Sequence, residues 1–269
     1  NDTPADPATW QLKVATWNVE RFFDTRCDSG RCGAGDYEEA PGPHQFLERA
    51  GEIAVAIEEL NADIVLLQEV ESRAALDGLL GALGGGWQVA EIGEVGFAGS
   101  VDVAILAKAR LLQKVTHRQS AIPLPDGSDT TRFAREFLEL RLKVRGAEVI
   151  VFSAHFKAKV NDEPERRLAE ALAAQQIVLR AATQNPQAVV VLGGDLNDTP
   201  GSPPLEALEA DERLRRVATD LPESEAWTFR YRGQGAFIDH LFLGGIGGQY
   251  VPGSAWVHRG DYGYGYGGS

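Results

Sequence analysis

The sequence predicts an α/β sandwich of mixed β-sheets flanked by helices, and three observations carry that expectation. Runs with strand character are joined in some places by tight-turn signals and in others by stretches of helical periodicity. This departs from the strict β-α alternation of a Rossmann sheet or an eight-unit barrel. At 269 residues and 43% apolar content the chain can bury a full core, and its length suits one domain spanning residues 1–269. Five short segments place an acid, an amide or a histidine at the end of an apolar run: Thr16–Glu20, Leu67–Glu71, Ser153–Phe156, Gly193–Asp198 and Phe237–Leu241. Strands that deliver such groups to one mouth of a sheet build sites for hard metals and phosphate esters.

The elements follow in order. Leu12 to Val19 alternates as a strand, and Phe46, Ala50, Ile53, Ile57 and Leu60 recur at helical spacing. Asn61-Ala62-Asp63 ends that helix before a short buried strand, Ile64 to Gln68. Ser72 caps a second helix that runs to Leu83 and stops at Gly84 to Gly86, after which Trp87 to Ile92, Val101 to Leu106 and Leu111 to Gln119 read as strands. Arg145-Gly146 is a tight-turn signal joining Phe137–Val144 to Glu148–His155 as a hairpin. Asp162 and Pro164 open the longest helix, through Ala182, and Asn185-Pro186 closes it ahead of the strand Ala188 to Leu192. A short helix after Pro204 and strands near Trp227–Tyr231, Phe237–Leu243 and Tyr250–His258 complete the pattern, and the Gly- and Tyr-rich tail from Gly260 reads as loop.

No run of about eighteen apolar residues occurs, so no membrane-spanning segment is expected. The net charge of −13 repels polyanions unless bound cations or a local basic groove offset it, which argues against tight non-specific DNA binding. Cys27 and Cys32 lie in a short loop without the further Cys or His that a zinc site needs, so a small loop-closing disulfide is expected. With a chain that starts at Asn1 and contains no Met, this favours a secreted or periplasmic location. No protein partner is predicted.

Several strand-end residues suit phosphoryl chemistry. Glu69 is placed to hold a hard divalent cation. Asp195 and Asn197, two apart after Gly193-Gly194, are expected to point the same way and to act on water and a phosphoryl oxygen, with Asp198 and Pro200 forming an Asx turn. Asn18 is a group of the same kind. His155 can exchange a proton near neutral pH, and Arg135, with Arg132, Lys157 and Lys159, can clamp a phosphate. Asp239, an acid in an apolar strand, calls for a partner such as a histidine; His240, adjacent in sequence, points to the opposite face.

These segments, in this order, resemble the endonuclease/exonuclease/phosphatase superfamily over nearly the whole chain. The stretch His155-Phe156-Lys157-Ala158-Lys159, with Arg167, looks most like its secreted bacterial nucleases, and Thr131–Glu136 looks like the deoxyribonuclease segment whose second arginine faces the phosphate. The resemblance implies a four-layered sandwich with two mixed sheets face to face. It implies Glu69, Asn18 and Asp195 around a metal, Mg2+ or else Mn2+ or Ca2+. It further implies His155, Asp195, Asn197, Asp239 and Asn18 as catalytic groups, and Arg135, Lys157 and Asn197 on the phosphate. Two departures stand out. Deoxyribonucleases carry Val-Arg after the glutamate where this chain has Val70-Glu71, and the family's final Ser-Asp-His and last strand are not found before Ser269. The expectation is a divalent-metal-dependent phosphodiester hydrolase with nucleic acid as substrate, on a natural chain that continues past Ser269. The alternatives are a phosphatase or a lipid or small-molecule phosphodiesterase on the same fold, and an inactive binding domain if Ser269 is a true terminus.

Overall fold

A computed structural model describes residues 10–260; the expectations for the tail and for Ser269 lie outside the described residues. In chain order the elements are β1 (Val14–Phe22), α1 (Pro43–Leu60), β2 (Ile64–Val70), α2 (Arg73–Ala82), β3 (Val89–Gly93), β4 (Asp102–Ala107), β5 (Arg110–Thr116), β6 (Ile122–Pro123) and β7 (Thr130–Thr131). There follow β8 (Leu138–Val144), β9 (Ala147–His155), α3 (Pro164–Gln184), β10 (Val189–Asp195), α4 (Pro203–Glu209), β11 (Leu214–Arg216), α5 (Glu223–Ala226), β12 (Phe229–Tyr231), β13 (Gln234–Ala236) and β14 (Asp239–Gly244).

Two mixed sheets form the centre, one ordered β1-β2-β4-β3 and the other β11-β14-β10-β9-β8-β5. Side chains from both fill the space between them: Ile64, Leu66, Val103 and Ile105 from the first, and Leu138, Leu140, Val151 and Val191 from the second. The opposite face of the first sheet packs Val65, Leu67 and Ala104 against Ile53 and Ile57 of α1 and Leu76 and Leu79 of α2. The outer face of the second packs Ile150, Phe152, Val190 and Phe242 against Ala171, Ala174 and Val178 of α3 and Leu205 and Leu208 of α4. The result is the expected four-layered sandwich. Alternation along each strand sends successive side chains to the two apolar layers, so strands buried on both faces read as continuous apolar runs.

Local signals act where the sequence places them. Ser72 Oγ accepts the N–H of Ala75 at 3.1 Å and starts α2, and Asn61 ends α1 in a left-handed conformation. Arg145 and Gly146 both take positive φ (46° and 85°), the geometry a two-residue hairpin turn requires. Three expectations are corrected. Residues 250–258 hold no strand: Pro252 and Gly253 make a turn, with Ser254 N–H donating to Val251 O at 3.1 Å. Asp162 does not open α3, whose cap is Glu163; it pairs with Arg167 at 2.9 Å. Both β1 and β2 run beyond their expected ends, through irregularities in register after Asn18 and around Glu69.

Buried ionisable groups make stability pH-dependent. Burial raises Asp102 and Glu170 to about 7 and Asp195 to about 6. Burial lowers His240 to about 4 and holds His155 well below its usual value. Raised carboxyls contribute stability at low pH that is lost as pH rises through their folded values; lowered imidazoles contribute stability above about 6.5 that is lost as pH falls. With the carboxyls outnumbering the imidazoles, the urea midpoint in chelator is expected to be higher near about pH 5.5 than near about pH 8. A midpoint that rises over that window would contradict this balance.

Candidate active site

The ends of β1, β2, β9 and β10 and the start of β14 meet at one mouth of the sandwich, in a cleft lined by Asn18, Glu69, His155, Asp195, Asn197 and Asp239. Glu69 sits at the β2 irregularity with a left-handed φ of 67°, an unfavourable conformation for a residue with a Cβ. Two donors hold its carboxylate: Asn18 Nδ2 at 3.0 Å and the backbone N–H of Arg21 at 2.9 Å. The same Asn18 nitrogen donates to Asp195 Oδ2 at 3.0 Å, so one amide ties together acids from the two sheets. Asn18 Oδ1 accepts the Glu20 N–H at 2.9 Å. Asn18 therefore ties the two acids together through its nitrogen, while its oxygen accepts one backbone N–H.

Asp195 ends β10. Its Oδ1 accepts the Asn197 N–H at 2.9 Å, and Asn197, at φ 53°, donates its side-chain amide to Phe156 O at 3.1 Å. The two residues are thus not extended neighbours pointing one way; the chain turns at Asp195, and Asn197 caps it. Burial is the main cause of the raised Asp195, Glu69 adds to it, and the bonds from Asn18 and Asn197 oppose it. His155 pairs with Asp195 in the β9–β10 register, and its Nε2 lies 3.8 Å from Asp195 Oδ2 and 4.0 Å from Glu69 Oε1. Burial, then the charge of Arg135, keeps this imidazole neutral, and among the described residues its buried Nδ1 has no hydrogen-bond partner.

Asp239 faces Asp195 across the β10–β14 ladder, with a buried Oδ1 that no hydrogen bond from the described residues reaches. Burial and then the Asp195 charge raise it well above the usual carboxylate range. His240 points away, as expected, and its Nε2 lies 2.9 Å from Asp198 O. Among the described residues no histidine bonds to Asp239.

Of the expected cations, Arg135 lines the cleft and acts electrostatically on Asp195 and His155. Lys157 also lines it, but its ammonium donates to the carbonyls of Ala158, Val160 and Asn161 at 2.7 to 3.2 Å. Lys159 pairs with Asp198 at 2.9 Å, and Arg167 meets the same acid at 2.8 Å, so Asp198 is an ion-pair centre as well as a turn residue. Arg132 is exposed.

Sequence reasoning missed Glu170. Fully buried on α3, it accepts the N–H of Ala134 at 2.6 Å and of Lys157 at 2.7 Å, pinning the segments of Arg135 and His155 to each other. Its place on the apolar stripe of Ala171, Ala174 and Val178 is the signal that could have found it. Tyr37, beside Arg21 and Arg135, was also missed, because nothing in the Cys-bearing loop foretells where it folds.

Buried Asp195 and half-buried Glu69 and Asp239 gather hard oxygen donors at this mouth beside Arg135. That donor set fits a hard divalent cation.

The model of the Endonuclease/Exonuclease/phosphatase family matches residues 15–262. A search of curated proteins finds no match. Among solved structures, TDP2 from Caenorhabditis elegans is 18% identical, with a TM-score of 0.60 over 87% of this chain and 64% of that one, so this chain spans just under two thirds of its length. A β-hairpin deletion mutant of β toxin from Staphylococcus aureus is 18% identical over 93% of this chain and 96% of that one, with a TM-score of 0.62. The human Nocturnin catalytic domain, solved with a bound sulfate anion, is 17% identical over 87% and 82%, with a TM-score of 0.59. These likenesses show a shared fold.

Proposed function

The chain belongs to the Endonuclease/Exonuclease/phosphatase family, and from that premise we propose that it is a divalent-metal-dependent phosphodiesterase that cuts nucleic acid outside the cytoplasm. The observation that carries the reading is the Asn18 amide, 3.0 Å from both Glu69 and Asp195, which sets two acids of different sheets beside His155 and within the field of Arg135. Glu69 and Asp195 would hold the cation, which when bound supplies positive charge to the phosphoryl group and the departing oxygen.

The chain's own groups divide the remaining work. Asp195, at the mouth of β10, takes the proton of the attacking water as its oxygen bonds to phosphorus and the bond to the leaving oxygen breaks. The Arg135 guanidinium and the second amide hydrogen of Asn197 bind non-bridging oxygens, where negative charge grows. Neutral His155 donates an N–H to the same group without changing its charge. Asp239, deprived of a hydrogen bond at Oδ1, orients whatever donor completes that wall.

Nucleic acid is favoured by the arm that precedes Asp239. Residues 227–238 contain Arg230 and Arg232 and no acid, in a chain whose net charge is −13. Arg230 and Arg259 lie 4.5 and 3.4 Å from the centroid of Trp227, and Phe229 is exposed. Cations interleaved with aromatic rings suit single strands. The Cys27–Cys32 disulfide supports an oxidising compartment. A lipid phosphodiester is the second reading, for which Ile246, Val251 and Trp256 offer exposed apolar side chains, although Ile246 follows β14 at the end of the ladder away from Asp195. Among the described residues no helix is long and apolar enough to cross a membrane.

The test is cleavage of single-stranded DNA, duplex DNA, RNA and phospholipid vesicles with Mg2+, Mn2+ or chelator. Cation-dependent cutting of nucleic acid, fastest on single strands, is expected. Release of phosphorylated headgroup instead would transfer the assignment to lipid, and inertness toward every substrate would refute hydrolysis.

A further inference from the structure

A second group of acids lies beneath the loop that the Cys27–Cys32 disulfide closes. Asp24, Glu38 and Glu71 are 4%, 2% and 4% exposed. Their hydrogen bonds come from backbone N–H groups and a hydroxyl. Glu71 Oε2 accepts from Asp24 N at 2.7 Å, Glu38 from Asp28 N and Ser29 N at 2.6 and 2.7 Å, and Asp24 from Arg26 N at 2.7 Å and Ser72 Oγ at 2.6 Å. Among the described residues no lysine or arginine side chain pairs with any of the three.

Glu71 Oε1 stands apart. It is buried with no N–H or hydroxyl donor on it among the described residues, and the Glu71 carboxyl lies within hydrogen-bonding reach of that of Glu38, so a shared proton or a cation must join them. Two carboxylates in buried contact repel unless positive charge sits between them. We propose that Glu38 and Glu71, reinforced by the charge of Asp24, bind a hard divalent cation of the calcium type at a site separate from Glu69 and Asp195.

Calcium suits the surroundings better than its competitors. It accepts carboxylates, backbone carbonyls and waters in irregular geometry, which a loop provides, whereas Mg2+ demands a near-ideal octahedron. The sulfurs of Cys27 and Cys32 lie close to the Glu38 carboxylate, but they are bonded to each other and supply no thiolate for zinc. A proton shared between the two carboxyls is the competing occupant.

Occupancy has a structural consequence. The loop carries Tyr37, whose carbonyl accepts from Arg21 at 3.4 Å and whose ring lies 5.7 Å from the Arg21 guanidinium at the cleft. A cation at Glu38 and Glu71 ties this wall to the end of β2.

The test reads binding and stability, so it stands or falls separately from hydrolysis. Calcium is titrated calorimetrically into the metal-free full chain, its Glu69→Gln variant and a Glu38→Gln/Glu71→Gln variant, and thermal unfolding of each is followed with and without calcium. Glu69→Gln should keep one calcium site, and calcium at about ten times its dissociation constant should raise its Tm by roughly 3–6 °C. The double variant should lose that site and shift. In chelator it should melt at or above wild type, since two repelling carboxylates are gone. Absence of any calcium site in Glu69→Gln would overturn the proposal whether or not the double variant folds, because a proton would then be the occupant. An undiminished calcium shift in a folded double variant would also overturn it.

Discussion

Asp195→Asn is expected to lose about three to four orders of magnitude in kcat/KM on a phosphodiester while remaining folded. The substitution keeps the shape of the side chain and removes its capacity to take a proton. It also disturbs the bridge across the sheets. Asp195 accepts from Asn18 Nδ2 and from Asn197 N–H, so an amide must turn its NH2 toward one of these donors and give up that bond. The cost to stability is small, because burial already raises the Asp195 carboxyl to about 6 and a neutral group escapes that penalty. Kinetics and thermal unfolding measured side by side decide the matter. Turnover within tenfold of wild type would remove Asp195 from the proton transfer, and loss of activity together with loss of folding would leave its place to a structural role.

The same residues show what could be read from the chain and why the rest could not. Acids and amides at the ends of apolar runs announce themselves, because a strand buried on both faces tolerates polar side chains mainly where it emerges. Glu69, His155, Asp195 and Asp239 are legible for that reason. The left-handed φ of Glu69 is not, since no glycine or asparagine marks the position and the strain is imposed by tertiary contacts with Asn18 and Arg21. Nor is the exchange by which Asn18 spends its amide nitrogen on two carboxylates 51 and 177 residues away in sequence. Glu71 looks like a lost DNA contact when read along the chain; in three dimensions it is buried against Glu38, with a different use. Local pattern reports which side chains leave a strand, and long-range pairing decides what they meet.

Gly194→Ala is expected to be the most destabilising single-methyl change at the site, by at least about 3 kcal/mol, the range of severe steric and backbone mechanisms. Gly194 lies one residue before Asp195, between Ala154 of β9 and His240 of β14. A Cβ there would overlap the backbone carbonyl of Ala154, and its φ of 153° adds strain for any L side chain. Neither neighbour can retreat, because β10 is an inner strand hydrogen-bonded on both sides. Gly193 provides the contrast. A Cβ at Gly193 would meet mainly the ends of the Leu241 and Leu66 side chains, which can shift rotamer within the layer between the sheets. Gly193→Ala should therefore cost less, about 1–3 kcal/mol. Urea unfolding of the two variants measures the difference, and equal losses would mean that the pair of glycines serves the turn into the site and not the close approach of β9 to β10. The first glycine leaves room between the sheets and the second leaves room within one, and the second lets β10 lie against β9 closely enough for Asp195 to face His155.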